Sequence, residues 1–123
     1  FLDGAPGKIT TLYRRDREMV IRVRDLLRAA LPDSLSLEEV ADQLHLSPRT
    51  THRRLEEEGS SFRGIKDALR RDMALARLTK TRDPISQVAA DLGYADTSAF
   101  YRAFVEWTGM APVHYRRRWA GKT

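Results

Sequence analysis

Apolar residues in this chain recur at steps of three and four, which predicts helices, and no segment reads as a strand. Met19, Val23, Leu26, Leu27, Ala30 and Leu31 share one face of a helix from about Arg15 to Leu31, ended by Pro32-Asp33. Ser36-x-x-Glu39 is a capping box, and the helix it opens buries Leu37, Val40, Ala41 and Leu44. Ser47-Pro48 starts the next helix, with serine as cap and proline at the first helical position, and Gly59 stops it. A longer helix spans about Ser61 to Lys80, with Phe62, Ile65, Leu69, Met73 and Ala76 along its stripe. After Asp83-Pro84 come a helix from Ile85 to Leu92, a turn at Gly93-Tyr94-Ala95, and a helix capped by Asp96 and ended by Gly109. Pro112 opens a last helical turn with Tyr115 and Trp119 facing inward.

One pattern occurs twice. Leu37, Val40, Ala41, Leu44 and Leu46 are followed 48 residues later by Ile85, Val88, Ala89, Leu92 and Tyr94. Each copy reads as a short helix, a tight turn and a second helix carrying arginine, the layout that places a helix in a DNA groove. Ala41 and Ala89 sit where the helices approach closely, and Leu46 and Tyr94 plug the core beneath the turns. The expected class is all-α: two helix-turn-helix subdomains, about 36–59 and about 84–109, joined by a linker helix of about 61–80, with about seven helices in all.

The face of each second helix follows from its inward residues. Thr51 and Leu55 point inward in the first copy, leaving Arg49, His52 and Arg53 outward. Phe100 and Phe104 point inward in the second, leaving Thr97, Ser98, Tyr101 and Arg102 outward. Arginine can fork onto guanine O6 and N7, and hydroxyl or imidazole groups serve bases or phosphates. A linker of roughly 30 Å approaches the roughly 34 Å turn of B-DNA, so the two helices would enter successive major grooves of a modestly bent duplex.

Composition narrows the alternatives. With 123 residues, 41% of them hydrophobic and 32% charged, the chain suits one small globular domain or two very small ones. Lys and Arg number 22 against 17 Asp and Glu, a net charge of +5 that attracts a polyanion. Without cysteine there is neither a disulfide nor a thiolate–metal site. His45, His52 and His114 show no metal-ligand spacing, so neither metal nor cofactor is expected. No nucleophile–base pair, paired carboxylates or phosphate-binding glycine loop points to an enzyme. No run suits a membrane span, and a bacterial cytoplasmic, nucleoid-associated location is expected. The chain starts at Phe1, and Asp3-Gly4-Ala5-Pro6-Gly7 looks like linker, so residues 1–15 are expected to be a remnant leading from an N-terminal domain.

Gly93-Tyr94, Ser98-x-Phe100-x-Arg102-x-Phe104 and Gly109-x-x-Pro112-x-x-Tyr115-Arg116 together resemble the C-terminal DNA-binding domain of the AraC/XylS family of bacterial transcription regulators. Ser47-Pro48-Arg49-Thr50, Arg53-Arg54-Leu55, Glu58-Gly59 and Phe62 look like members with a separate effector-binding or dimerisation domain upstream, some of which regulate amino-acid catabolism. The match covers about Val20 to Arg118. It implies a bilobed domain over about 16–118, base-reading positions at Arg49, His52, Arg53, Thr97, Ser98, Tyr101 and Arg102, and RNA polymerase as a partner, mostly for activation. The fragment is expected to be a monomer, with any dimerisation supplied by the N-terminal domain, and 119–123 to be a tail. Two departures stand out: Thr51 where the family usually has leucine, and Ala111 where serine or threonine commonly precedes the proline.

Other features have plainer readings. Base contact and backbone contact are weighed equally for Arg102, while Arg54 lies off the reading face. Glu56-Glu57-Glu58 reads as a solvated acidic end turned away from the duplex, and His45 as a cap or solvated residue of the first turn. Arg116-Arg117-Arg118 reads as a soluble tail rather than a backbone clamp. Arg63, Lys66, Arg70 and Arg71 read as a solvated helix face, with a partner contact as the alternative, and Phe62, Trp107 and Trp119 as core. The competing reading is an interaction module that docks on polymerase or another protein.

Overall fold

Seven helices account for most of residues 17–120, the part of the chain that the computed structural model describes. They are α1 (Glu18–Ala30), α2 (Leu37–Gln43), α3 (Pro48–Glu57), α4 (Phe62–Lys80), α5 (Ile85–Asp91), α6 (Thr97–Thr108) and α7 (Pro112–Trp119), with no strand among the described residues. The expected linker over 1–15 lies outside them.

Side chains set where the helices begin. Ser36 Oγ accepts the Glu39 amide at 3.1 Å and Glu39 Oε1 accepts the Ser36 amide at 2.9 Å, so α2 opens with the expected capping box. Ser47 Oγ accepts the Thr50 amide at 3.0 Å ahead of α3, and Asp96 Oδ1 accepts the Ala99 amide at 2.8 Å ahead of α6. Pro84 and Ala111 precede α5 and α7 with no side-chain cap. At the far ends, Gly59 and Gly109 adopt left-handed φ of 78° and 79°, which halts α3 and α6.

The described residues form two compact units, 17–29 with 35–66 and 30–34 with 67–120. The first buries Met19, Val20, Val23 and Leu27 of α1, Val40 and Ala41 of α2, Leu44, Thr51 and Leu55, and Ile65 of α4. α2 packs on α3. The second has one core of Ala74, Leu78, Val88, Ala89, Leu92, Phe100 and Phe104, with Leu31, Met73, Tyr94, Trp107 and Tyr115 packed against it. Its aromatic rings meet in series: Tyr94 to Phe100 at 5.5 Å, Phe100 to Phe104 at 5.8 Å, and Phe104 edge-on to Tyr115 at 5.3 Å between centroids.

Two expectations about burial are corrected. Ala76 is exposed, and the inner stripe of α4 continues through Ala74 and Leu78 instead. One helix serves two cores here, Ile65 in the first unit and Leu69, Ala74 and Leu78 in the second. Trp119 is 42% exposed rather than inward. It closes α7 with its ring beside Tyr115 at 6.2 Å and under the Arg118 guanidinium at 5.4 Å.

Candidate nucleic-acid interface

Both turns reverse the chain by the same backbone bonds. The Leu46 amide donates to Ala41 O at 2.9 Å and the Tyr94 amide to Ala89 O at 3.1 Å. The amides of His45 and Gly93 donate to Asp42 O and Ala90 O at 3.1 and 3.0 Å. Both residues are left-handed, His45 at φ 59° and Gly93 at φ 89°. At Gly93 a Cβ would lie 2.5 Å from Pro32 O, so glycine is required by contact as well as by conformation.

The second turn has one residue more before its cap. Leu44 is followed by His45, Leu46 and the cap Ser47, whereas Leu92 is followed by Gly93, Tyr94, Ala95 and the cap Asp96. The offset of 48 between the leading helices therefore becomes 49 between the second helices. Thr51 matches Phe100 and Leu55 matches Phe104, and all four are fully buried. Arg49, His52 and Arg53 then match Ser98, Tyr101 and Arg102.

All seven residues singled out from the sequence are exposed. Arg49, His52 and Arg53 lie together on the outer face of α3, over a helix whose inner face is held by Leu55 and Thr51. The Thr51 hydroxyl donates to Ser47 O at 3.0 Å, which accommodates a polar residue at this buried site. Thr97, Ser98, Tyr101 and Arg102 lie together on α6 and line an open hollow of about 300 Å³.

The charge on the two faces differs. His52 Nε2 lies 3.4 Å from Glu56 Oε2, and Arg53 Nε lies 3.9 Å from Glu57 Oε2, each an exposed pair one turn apart. Among the described residues, Arg49 and Arg102 enter no ion pair.

Long-range contacts support these faces. Glu58 is not solvated. Its two carboxylate oxygens accept the Met19 and Val20 amides, each at 2.8 Å, and so cap α1 from 38 and 39 residues away. Arg116 does not belong to a loose tail: its Nε donates to Leu78 O at 3.1 Å near the end of α4. Lys66 Nζ donates to Leu35 O at 3.1 Å, and the Arg70 guanidinium lies 5.0 Å from the centre of the Tyr94 ring, so neither is merely solvated. Burial raises the Tyr94 pKa, with Arg70 countering part of that rise. Arg77 Nη2 bridges Asp83 at 2.8 Å and Asp91 at 3.0 Å, which ties α4 to the end of α5. Burial would lower the Arg77 pKa, but its bonds to the two carboxylates outweigh that and raise it. A carboxylate at the negative end of a helix, as at Glu58, is the sequence signal that hints at an outside partner.

Among the described residues no cluster of His, Asp and Glu could hold a metal, and no helix is long and apolar enough to cross a membrane.

Comparison with known proteins places these features. A helix-turn-helix domain family matches residues 40–118. The ornithine utilization regulator of Pseudomonas aeruginosa is 41% identical over 98 residues, covering 80% of this chain and 29% of that protein. The chain thus spans under a third of that relative's length. The crystal structure of the transcriptional regulator CdpR from Pseudomonas aeruginosa is similar over 88% of this chain and 34% of that one, with a TM-score of 0.73 at 38% identity. A regulator from Chromobacterium violaceum, described as having an AraC-type DNA-binding domain, matches 87% of this chain and 96% of that one, with a TM-score of 0.76. At 19% identity it supports the fold alone.

Proposed function

The chain belongs to the AraC-type helix-turn-helix family of DNA-binding transcription regulators, and from that premise we propose that it reads two segments of one duplex with α3 and α6. The observation that carries this reading is the division of both helices: a fully buried inner face, and an outer face whose exposed side chains can bond base edges. Arg49, His52 and Arg53 read one segment, and Thr97, Ser98, Tyr101 and Arg102 the other. Arg49, Arg53 and Arg102 supply forked donors for guanine, while Ser98 and Thr97 serve bases or phosphates. In this reading α4 is the spacer, and 19 residues at about 1.5 Å each make it about 28 Å long.

The chain acts as the DNA-binding part of a longer bacterial regulator in the cytoplasm, one that activates transcription by engaging RNA polymerase. The fragment is monomeric, since two reading helices already occupy one chain.

In vitro selection from a random duplex library, at fixed salt, tests the reading. A two-part site should emerge, with a steep fall in affinity as salt rises. Replacing Arg53 with Ala should cost about 1–3 kcal/mol and relax preference at one or two base pairs of one part. An equal loss on every sequence would make Arg53 a phosphate contact instead, and a library without enrichment would end the proposal.

A further inference from the structure

We infer that Glu58 is a positioning residue for DNA reading, one that sets the first reading helix through α1. This rests on the proposal that α3 reads bases.

Glu58 is the residue that follows α3 directly, and its carboxylate holds the first turn of α1 by two bonds of 2.8 Å. The bonds are charge-assisted and partly buried, and they run to the positive end of a 13-residue helix. The same carboxylate sits at the negative end of α3, a place that disfavours it unless an outside partner compensates. α1 is that partner. Met19 and Val20 are themselves buried, so the turn that Glu58 grips is fixed in the core of the first unit. The orientation of α3 about its own axis is thereby tied to α1 at one end and to Thr51 and Leu55 along its length.

Among the described residues, no carboxylate grips the end of α6 in this way. Counting 49 residues on from Glu58 reaches Trp107, whose ring packs against Phe104 at 6.2 Å and Tyr94 at 6.5 Å. Where the second reading helix is anchored by ring volume, the first is anchored by two hydrogen bonds to the opening of α1. An event that unwinds the first turn of α1 releases Glu58, and with it α3, while α6 keeps its aromatic anchor. The first unit is thus the adjustable one.

The test uses the 123-residue chain, the site obtained by selection, and two versions of that site with one part scrambled in each. Wild type and Glu58→Gln, a near-isosteric change, are compared on all three duplexes. The variant should bind the intact site roughly tenfold more weakly, the scale of a lost charge-assisted bond. Its base preferences should relax only in the part read by α3. With that part scrambled, the two proteins should bind alike. Amide exchange at Met19 and Val20 should speed up, while the core amides of α6 stay protected.

The sign of the change separates positioning from simple charge. Removing a negative charge tightens binding to DNA if electrostatics alone act. A variant that binds every duplex more tightly, or matches wild type while its Met19 and Val20 amides exchange faster, therefore overturns the inference. Glu58→Ala adds a second arm, expected to show the same one-sided loss. If wild type cannot tell the three duplexes apart, the base-reading proposal fails and this one falls with it. If wild type discriminates and Glu58→Gln discriminates equally, only this one fails.

Discussion

The two units share a turn but not a way of holding the helix proposed to read DNA. In the first, the inner positions are Thr51 and Leu55 and the far end is gripped by Glu58. In the second, Phe100, Phe104 and Trp107 occupy the matching places among other rings. The first helix packs through aliphatic Leu55 and has its end gripped by two directional bonds, whereas the second packs through a chain of rings. Equivalent backbones can therefore differ in what disturbs them: loss of one charge in the first unit, loss of one ring in the second.

The harshest way to probe this contrast is Phe100→Ala. A fully buried phenylalanine in a close ring cluster should cost about 3–5 kcal/mol on removal. Trp107 and Trp119, the only tryptophans, both lie in the second unit, so their fluorescence during denaturant unfolding reports it selectively. A cost under about 1 kcal/mol would break the claim that ring volume anchors α6.

Next come the turns. Gly93→Ala sets a Cβ against the Pro32 carbonyl in a left-handed conformation and should cost about 2 kcal/mol or more by the same fluorescence measurement. His45→Gly relieves a side chain from the same conformation and should stabilise the first unit by a few tenths to about 1 kcal/mol. Amide exchange of Val40 and Leu55 reads that gain, and a loss there would mean that the His45 side chain contributes more than its conformation costs.

The smallest effect belongs to Thr51→Val. The shape is retained, and Ser47 O keeps the Thr51 amide when the hydroxyl is removed. The change should stay within about 0.5 kcal/mol in the same exchange experiment. A much larger loss would show that the hydroxyl does more than satisfy itself, and the first unit would then depend on hydrogen bonds along the whole of α3.

What the sequence disclosed was mostly local. Ser36 with Glu39, Ser47 with Pro48, Asp96 and the two terminal glycines mark helix ends through contacts within a few residues, and each acts as read. The exposure of the seven candidate residues also followed from period alone, because Thr51, Leu55, Phe100 and Phe104 fix which side of each helix is inward. The misses are long-range. Glu58 finds α1, Arg116 finds the end of α4, and Lys66 finds Leu35, across 31 residues or more. Nothing in the neighbourhood of a charged residue tells whether a distant amide or carbonyl will meet it. Ala76 was misplaced for a related reason: a stripe drawn along α4 assumes one core, and this helix supplies two.

The extra residue in the second turn carries a practical lesson for retargeting. An engineer who transplants side chains between the halves by the 48-residue repeat would put the Tyr101 phenol at Arg53 and the Arg102 guanidinium at Arg54, off the face proposed to read DNA. Counted from the Ser47 and Asp96 caps, Tyr101 takes the place of His52 and Arg102 that of Arg53, and both stay on the exposed face of α3.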